Sequence, residues 1–323
     1  MVSRRPGVTI GVPVYNGGTL LEEALRAIGS QTYQDLEVIV GDNASTDATA
    51  DIVADVARLD PRVRYFRNEH NVGAPDNFNR TFLASTRTYF KWASHDDLLA
   101  PTFIERCVAE LERDPEAVLA FSRIAAVGED GEVRKQLPTQ LPATASDDPV
   151  RRFEAVSVER HGGFPLWGVV RADVLADTRL HQRFPGGDKV LLAELALRGR
   201  FCEVDETLFF LRAHEGRSVT SMPSIYLRAA WHAPGSNPRF LMPHWRMARG
   251  YLDAVERAPL RRGRRQLARR AMVIWVFRNW NWARLMSDGI VLVIPSAWRI
   301  FETARGFLRR RHRKRPPARS PIA

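Results

Sequence analysis

VTIGVPVYNGG (residues 8–18) and LEVIVGDNASTD (residues 36–47) are the two stretches of the chain that decide its fold. Each begins as a run of mostly β-branched apolar residues, which is typical of a strand buried on both faces. The segment between them, from about Thr19 to Ser30, repeats apolar residues at helical spacing and predicts an amphipathic crossover helix. The pattern therefore predicts a parallel strand–helix–strand unit near the start of the chain.

Polar and aromatic residues follow both predicted strands. The first strand leads into Pro13, Tyr15 and Asn16, and the second ends at Asp42. Ligands of open α/β sheets bind beyond the carboxyl ends of the strands, so these residues predict half of a binding crevice. An ordinary capped turn is the alternative, because Asp and Asn also favour turns.

The alternation of strand and helix patterns continues to about Val127. It predicts the α/β class, with a Rossmann-like, mostly parallel central sheet and flanking helices. After about residue 220 the pattern becomes helical and rich in tryptophan. We therefore predict a sheet-containing domain over residues 1–220 and a helical, basic region over residues 221–323. The basic, proline-containing end of that region, from about 309 to 323, is predicted to be disordered.

Composition and charge narrow the class of protein. A hydrophobic content of 45% and a charged content of 26% are ordinary for a soluble globular protein. The net charge of +11 is concentrated at one end, since Arg246–Ala323 carries 20 Lys and Arg residues against four acidic residues. The cysteines form no metal-binding or disulfide pattern, and there is no signal peptide or run of about 18 apolar residues, which predicts a cytoplasmic protein. The basic segment has no groove-binding layout, so nucleic acid is not expected as a partner.

Six motifs follow one another in a recognisable order. They are VTIGVPVYNG, VIVGDNASTD, Asn-Val-Gly at 71–73, His-Asp-Asp at 95–97, Gly-Gly-Asp at 186–188 and Leu-Arg-Ala-His at 211–214. In this order they resemble the motifs of family 2 glycosyltransferases, over about Val8 to Thr220. The resemblance implies the GT-A fold and an inverting transfer from a UDP-, dTDP- or GDP-sugar to a hydroxyl of a glycan, lipid-linked or other cell-surface acceptor. Such a reaction would serve biosynthesis of a bacterial cell-envelope polysaccharide.

The resemblance also implies a donor site at the strand ends. Tyr15 is expected to stack on the base, and Asp42 to accept hydrogen bonds from the base or ribose. Lys91 is either a phosphate partner or an edge residue of the sheet. The further positions assigned to the nucleotide sugar are Pro13, Asn16, Asn71, Gly73, Asn77, Asp96, Arg212 and His214.

The acidic pair Asp96 and Asp97 suits Mg²⁺ or Mn²⁺, because such ions are typically held by one or two carboxylates together with substrate phosphates. The resembled family often has Asp-x-Asp-Asp here, whereas this chain has Ser94 at the first position. It therefore stays open which aspartate binds metal and which binds ribose. Arg212 offers a fork of donors to the diphosphate, and His214 adds a metal or phosphate contact. An acidic helix N-terminus is the alternative interpretation of the pair.

Asp188 matches the position of the family's general base. An inverting transfer needs a base that takes the proton of the acceptor hydroxyl as that hydroxyl attacks the anomeric carbon. Asp188 follows two glycines at a predicted helix start, so a helix N-cap is the alternative role, and the two roles are compatible.

Two rival functions belong to other classes. A nucleotidyltransferase would share the sheet and the acidic pair, but its first loop would carry Lys or Arg for a triphosphate, and residues 15–18 lack that charge. A non-catalytic nucleotide-sugar-binding or membrane-binding module would have lost the carboxylates of Asp96, Asp97 and Asp188, and all three are present.

Two basic amphipathic stretches lie at residues 261–284 and 290–315. Tryptophan and arginine around short apolar runs are typical of helices that lie on an anionic membrane. We therefore predict peripheral attachment to the inner face of the plasma membrane through residues 261–315. The alternative is a helical lid that packs on the preceding domain, followed by a solvated basic tail.

Overall fold

The computed structural model describes residues 6–128, 130–138, 141–214, 222, 224–233, 241–294 and 296–297. The strands are β1 (Val8–Val14), β2 (Leu36–Asp42), β3 (Val63–Arg67), β4 (Tyr89–Trp92), β5 (Leu98–Leu99), β6 (Ala117–Val127), β7 (Val133–Leu137), β8 (Val169–Arg171) and β9 (Arg200–Arg212). The helices are α1 (Gly18–Gly29), α2 (Thr49–Leu59), α3 (Ala74–Leu83), α4 (Phe103–Arg113), α5 (Pro149–Ser157), α6 (Ala172–Ala176), α7 (Gly187–Ala196), α8 (Ile225–His232), α9 (Pro243–Arg257), α10 (Arg262–Phe277) and α11 (Asn281–Val293). Short 3₁₀ helices span Pro142–Ala145, Phe164–Trp167 and Arg278–Trp280.

The described strands form one sheet, in the order β3-β2-β1-β4-β8-β6-β9-β5, with β7 paired to β6. β1, β2, β3 and β4 are parallel, and β6 is parallel to β9. β5, β7 and β8 run antiparallel to their neighbours. The strand order reverses between β1 and β4, which is where an open α/β sheet forms its ligand crevice. The ends of β1 and β4 carry the predicted donor and metal residues.

The structure confirms the predicted α/β class, but the sheet is mixed rather than mostly parallel, because four of the eight described strand pairings are antiparallel. Residues 164–167 form a 3₁₀ helix with Pro165 near its start, and the strand β8 begins only at Val169. Proline has no N–H for a strand ladder, which favours this outcome. The strand β5 was not predicted, since two residues are too few for a periodic pattern.

Two large hydrophobic clusters form the core. One joins β1 and β2 to α1 and α4, through residues such as Ile10, Leu25 and Phe103. The other joins β4 and β6 to α5 and α7, and it continues into α9 and α10 through Tyr251 and Trp275. The C-terminal helices therefore share a core with the sheet-containing part, and the division at residue 220 stays a prediction.

The buried carboxylate of Asp288 joins three C-terminal helices. Its oxygens accept the backbone N–H groups of His244 and Trp245, at 2.8 and 3.2 Å, at the start of α9. They also accept a ring N–H of His244 at 2.9 Å and the hydroxyl of Tyr226 in α8 at 3.0 Å. Among the described residues, no helix combines the length and the apolarity needed to cross a membrane. The tail predicted over 309–323 lies outside the described residues.

Candidate functional site

The loop after β1 is fastened to the loop after β2 by reciprocal hydrogen bonds. The backbone N–H of Asn16 donates to Oγ of Ser45 at 2.9 Å, and the backbone N–H of Thr46 donates to Oδ1 of Asn16 at 2.9 Å. The next residue, Gly17, donates to the hydroxyl of Thr49 at 3.0 Å. Asn16 has a positive φ of 52°, a conformation that Asn adopts more readily than most residues. Asn16 therefore builds part of the crevice wall that the sequence predicts, and its side-chain oxygen bonds to the protein itself.

Tyr15 and Asp42 present different surfaces at the end of the crevice. The Tyr15 side chain is 44% exposed, as a base-stacking ring requires, whereas Pro13 is buried within β1. Asp42 is fully buried; Oδ1 accepts the N–H of Ser45 at 2.8 Å and Oδ2 accepts the hydroxyl of Tyr65 at 2.7 Å. Burial, followed by the contact with Asp42, raises the pKa of Tyr65 to about 12, so its hydroxyl stays a donor. The orientation of Asp42 is thus set before any ligand binds.

A network of asparagine side chains closes the far wall. Nδ2 of Asn43 donates to Oδ1 of Asn71 at 2.9 Å, and Nδ2 of Asn68 donates to Oδ1 of both Asn43 and Asn77. Asn77 in turn donates to the carbonyl of Gly41 at 2.6 Å, at the end of β2. Asn77 is 2% exposed, so it positions the strand ends. Sequence reasoning did not assign Asn68 to the site, although it directly follows β3.

Gly73 lies at the end of this network, where it precedes α3. Its φ is 88°, which a residue with a side chain rarely adopts. Its N–H donates to Oδ1 of Asn71 at 2.9 Å. The predicted positions Asn71, Gly73 and Asn77 are therefore brought together by the structure.

The acidic pair follows β4 on the other side of the strand-order reversal. Oδ2 of Asp96 lies 2.8 Å from Nε2 of His214, and Oδ1 accepts a hydrogen bond from the hydroxyl of Ser94. Oδ1 of Asp97 accepts the backbone N–H of Arg212 at 3.0 Å. Both carboxylates are buried. The structure therefore brings together all four predicted residues of this half of the site, and it gives the two aspartates different partners.

Arg212 reaches back to the first helix of the chain. Its guanidinium donates to Glu23 in α1 at 2.6 Å, while its own side chain is almost fully buried. This ion pair holds the end of β9 against α1, which adds a positioning role to the phosphate contact predicted from the sequence.

Lys91 lies away from the crevice surface. It is fully buried, and Nζ donates to the carbonyl of Trp167 and, at 3.2 Å, to the carbonyl of Trp92. Nζ also lies 4.5 Å from the ring centroid of Phe103 and 5.2 Å from that of Phe209. Burial lowers the pKa of Lys91 to about 7. Neither predicted role matches this position, because Lys91 is neither exposed to a phosphate nor at a sheet edge: β4 lies between β1 and β8.

Asp188 is the second residue of α7, and Gly186 is the N-cap. The alternative role as N-cap is therefore wrong. A Cβ atom on Gly163 would lie 3.5 Å from Oδ2 of Asp188, so the glycine-containing loop 161–163 borders the carboxylate. Gly163 has a φ of 76°, and its N–H donates to Nδ1 of His161 at 3.0 Å. Nε2 of His161 lies 2.8 Å from the carbonyl of Val156, which fits a neutral ring with its proton on Nε2. Burial lowers the pKa of His161, in agreement with that state.

His181 connects Asp188 to the strand that carries the acidic pair. Its ring packs edge-on against Trp92 at the end of β4, with centroids 4.6 Å apart, and its backbone exchanges two 2.9 Å hydrogen bonds with the side chain of Asn79. Burial lowers the pKa of His181 to about 4, partly offset by the charge of Asp188. Nε2 is buried and has no hydrogen-bond partner among the described residues. A single histidine without a recognised motif gave no signal in the sequence.

The fit of a divalent ion follows from these contacts. Asp96 and His214 are 2.8 Å apart and offer a carboxylate and an imidazole, to which diphosphate oxygens of a donor would add further ligands. Among the described residues no group of three or more His, Cys, Asp or Glu side chains is arranged to hold a metal without such a substrate. Asp96 and His214 thus suit an ion that binds together with the nucleotide.

The sheet is mixed, with the predicted nucleoside-binding residues after β1 and β2 and two carboxylates after β4. Solved structures of the GT-A fold have the same overall architecture. The structure of S. aureus TarS 1–349 in complex with UDP-GlcNAc matches with a TM-score of 0.53, covering 88% of this chain and 91% of that one at 16% identity. The structure of GalNAc-T7 with UDP, GalNAc and Mn²⁺ matches with a TM-score of 0.55, covering 77% of this chain and 49% of that one at 14% identity. The chain therefore has the GT-A fold.

Residues 9–165 match the model of the family described as Glycosyl transferase family 2. This match confirms the resemblance to family 2 glycosyltransferases drawn from the motifs. A Campylobacter jejuni protein, GalNAc(5)-diNAcBac-PP-undecaprenol beta-1,3-glucosyltransferase, is 24% identical over 191 residues, 59% of this chain and 60% of that protein. The chain aligns with 15–60% of the length of the first curated relatives it matches.

Proposed function

We propose that the protein is an inverting glycosyltransferase in which Asp188 is the general base. The observation that carries the proposal is the placement of Asp188, whose carboxylate borders the open glycine loop at Gly163 and is not used as the helix N-cap. The acceptor hydroxyl transfers its proton to the Asp188 carboxylate while its oxygen attacks the anomeric carbon. The bond from that carbon to the diphosphate oxygen breaks, and the nucleoside diphosphate leaves with the electron pair.

The donor binds across the ends of β1, β2 and β4. The exposed ring of Tyr15 stacks on the base. Asp42 is fully buried and bonded to Ser45 and Tyr65, so it holds the loop after β2 in place rather than contacting the base or ribose as the resemblance implied. Asn16, Asn71 and Asn77 act mainly by holding the loops in place, since their side chains bond to protein groups. A UDP-, dTDP- or GDP-sugar fits this site. The UDP-GlcNAc bound by TarS, which has the same fold, supports a nucleotide-sugar donor.

Asp96 and His214 would hold a Mg²⁺ or Mn²⁺ ion, since they place a carboxylate oxygen and an imidazole nitrogen 2.8 Å apart after β4 and β9. The bound ion would supply Lewis-acid stabilisation of the departing diphosphate. Asp97 positions the end of β9 through the N–H of Arg212, and Arg212 is the phosphate partner that this bond places. The Mn²⁺ in the GalNAc-T7 structure supports a divalent ion in this fold.

The acceptor is a glycan or a lipid-linked glycan of the bacterial cell envelope, and the enzyme acts in the cytoplasm at the inner face of the plasma membrane. The support is the name of the C. jejuni relative, which acts on an undecaprenol-linked acceptor. The loop at His161 and Gly163 lies on the acceptor side, because it borders the proposed base.

The test compares Asp188→Asn with Asp173→Asn. Asp173 is also the second residue of a helix, α6, and it is exposed, so the control removes an equivalent charge outside the site. A panel of UDP-, dTDP- and GDP-sugars with Mn²⁺ is assayed for transfer or donor hydrolysis, and donor binding is measured by calorimetry. Asp188→Asn should lower turnover by about 10²–10⁴-fold with donor binding retained, because general-base catalysis contributes that much.

Three results would overturn the proposal. Near-normal turnover of Asp188→Asn would exclude it as the base. Release of pyrophosphate from a nucleoside triphosphate would indicate the rival nucleotidyltransferase. Tight donor binding without transfer or hydrolysis in the unsubstituted protein would indicate a non-catalytic binding module.

A further inference from the structure

The turn between α10 and α11 exposes three large aromatic side chains, which we call the aromatic tip: Phe277, Trp280 and Trp282. Phe277 is 73% exposed, Trp280 68% and Trp282 41%. The two tryptophan rings lie 5.7 Å apart. Full burial of one large apolar side chain stabilises a protein by roughly 1.5–3 kcal/mol. Three such side chains exposed together therefore indicate a surface that a membrane or another molecule covers.

The exposed apolar surface continues from the tip along both helices. In α10 the buried residues Ala268, Met272 and Trp275 face the core. The exposed residues of α10 lie on the opposite side, and those of α11 recur every three or four positions in one stripe. They are Val273, Ile274 and Phe277 in α10, and Trp282, Met286, Ile290 and Val293 in α11. We call this surface, together with the tip, the hairpin face. It shows that the helices pack on the domain and still leave one face that the other described residues do not cover.

The charge around the hairpin face has one sign. Residues 261–294 contain eight arginines and one acidic residue, Asp288. Asp288 is 1% exposed and its oxygens cap α9, so it contributes little negative charge to the surface. Arg270 and Arg278 are exposed beside the apolar stripe and form no salt bridge with any described residue. An apolar face with an arginine rim complements an anionic bilayer, which offers acyl chains and phosphate groups at adjacent depths.

The tip is fixed to the acceptor side of the site. Asn279 and Trp280 have positive φ values of 55° and 61°, a conformation that Asn adopts readily but that is strained for a bulky Trp. Nδ2 of Asn279 donates to the carbonyl of Val158 at 3.2 Å, and Oδ1 accepts Nε of Arg160 at 2.7 Å. The next residue after Arg160 is His161, which begins the loop that borders the proposed base. The strained turn therefore holds the tip next to that loop.

We propose that the hairpin face is seated in the interface of an anionic lipid bilayer, with the aromatic tip inserted and the acceptor side of the site turned towards the membrane. A helix that cannot span a bilayer can still lie in its interface with one face buried. The membrane contact does not depend on the proposed transfer reaction. Only the delivery of a lipid-linked acceptor to the loop at His161 rests on the proposed function.

The test measures how the full chain partitions onto vesicles. Sedimentation with phosphatidylcholine vesicles is compared with sedimentation with mixed phosphatidylcholine–phosphatidylglycerol vesicles, at low and high salt. The tip variant carries Phe277→Ser and Trp280→Ser. Its control carries Leu59→Ser and Leu83→Ser, two side chains that are 88% and 71% exposed on α2 and α3.

The tip variant should bind the mixed vesicles at least about tenfold more weakly than the unsubstituted chain, because it loses two inserted side chains. The control should bind as the unsubstituted chain does. Arg270→Glu with Arg278→Glu should also weaken binding at least about tenfold, since each arginine near an anionic surface contributes to attraction. Its control is Arg26→Glu with Arg58→Glu, at two exposed positions on α1 and α2.

Several outcomes would overturn the inference. One is failure of the unsubstituted chain to sediment with mixed vesicles; another is equal binding by the tip variant and the unsubstituted chain. An equal loss in the tip variant and in its control would also overturn it. A dimer that the tip variant converts to a monomer, without any vesicle binding, would identify a second copy of the chain as the occupant. Donor hydrolysis by the tip variant is measured in parallel, so a failure of the proposed reaction is distinguished from a failure of membrane binding.

Discussion

The burial of Lys91 allows a test of two roles for this residue. One is a structural role in the core, and the other is the phosphate contact suggested by the sequence. Burial lowers the pKa of Lys91 from 10.5 to about 7. One pKa unit corresponds to about 1.4 kcal/mol, so the folded protein disfavours the charged form by about 5 kcal/mol relative to the unfolded chain. Lys91→Met keeps a similar volume and removes that penalty. Below pH 7 the variant should therefore be more stable than the unsubstituted protein.

The sign of the pH dependence follows from proton binding by the two states. Between pH 7 and 10.5 the unfolded chain holds a proton on this lysine more often than the folded chain does, so the contribution of Lys91 to stability rises with pH. The rise is about 1.4 kcal/mol per pH unit. The stability advantage of Lys91→Met should shrink at that rate across the window. Urea unfolding at several pH values between 7 and 10.5 measures it.

The matched control is Lys135→Met, which removes the same charge from an exposed position on β7. The difference between the two variants isolates the effect of the buried position. Donor KM is measured on both, and the core role predicts that it is unchanged. Parallel stability curves for Lys91→Met and the unsubstituted protein, together with a raised donor KM, would refute the reasoning and restore a phosphate contact.

Two further substitutions test the crevice and the C-terminal helices. Tyr15→Ala should raise donor KM about ten- to a hundredfold with kcat nearly unchanged, because stacking on an aromatic ring contributes about 1–3 kcal/mol per base. Tyr15→Phe keeps the ring and should keep the KM of the unsubstituted protein. An equal rise of KM in both variants would contradict stacking. Asp288→Asn should lower the free energy of unfolding by about 2–4 kcal/mol in urea, since a buried carboxylate with four hydrogen bonds is lost. Asp51→Asn, on the exposed surface of α2, is the control. A similar loss of unfolding free energy in that variant would argue against a stabilising role for the hydrogen bonds of Asp288.

The sequence predicted most of the fold because its signals are local. β1 and β2 are uninterrupted apolar runs, and each ends at a polar residue, so both the strands and the crevice follow from short patterns. The acidic pair and Asp188 were found because each follows a strand end or a glycine turn.

The errors and omissions share a different cause, which is dependence on distant partners. Lys91 stands in a short strand between two aromatic residues, and only the rings of Phe103 and Phe209 show that its side chain is enclosed. The amide of Asn77 bonds to the end of β2, 36 residues earlier in the chain. Neither partnership leaves a periodic trace in the sequence. Sequence reasoning therefore failed for residues that position other parts of the protein. It either predicted that they bind the ligand or gave them no role.

Ser94 shows how a departure from the resembled family's motif changes the chemistry of the site. The hydroxyl of Ser94 donates to Oδ1 of Asp96, whereas a carboxylate at that position would repel it. Asp96 is therefore held by a neutral donor on one side and by His214 on the other, 2.8 Å away. Asp97, fixed by the N–H of Arg212, has its own structural task. If the proposed donor site binds a divalent ion, Asp96 and His214 would be its protein ligands, and the donor's own phosphates would complete its coordination.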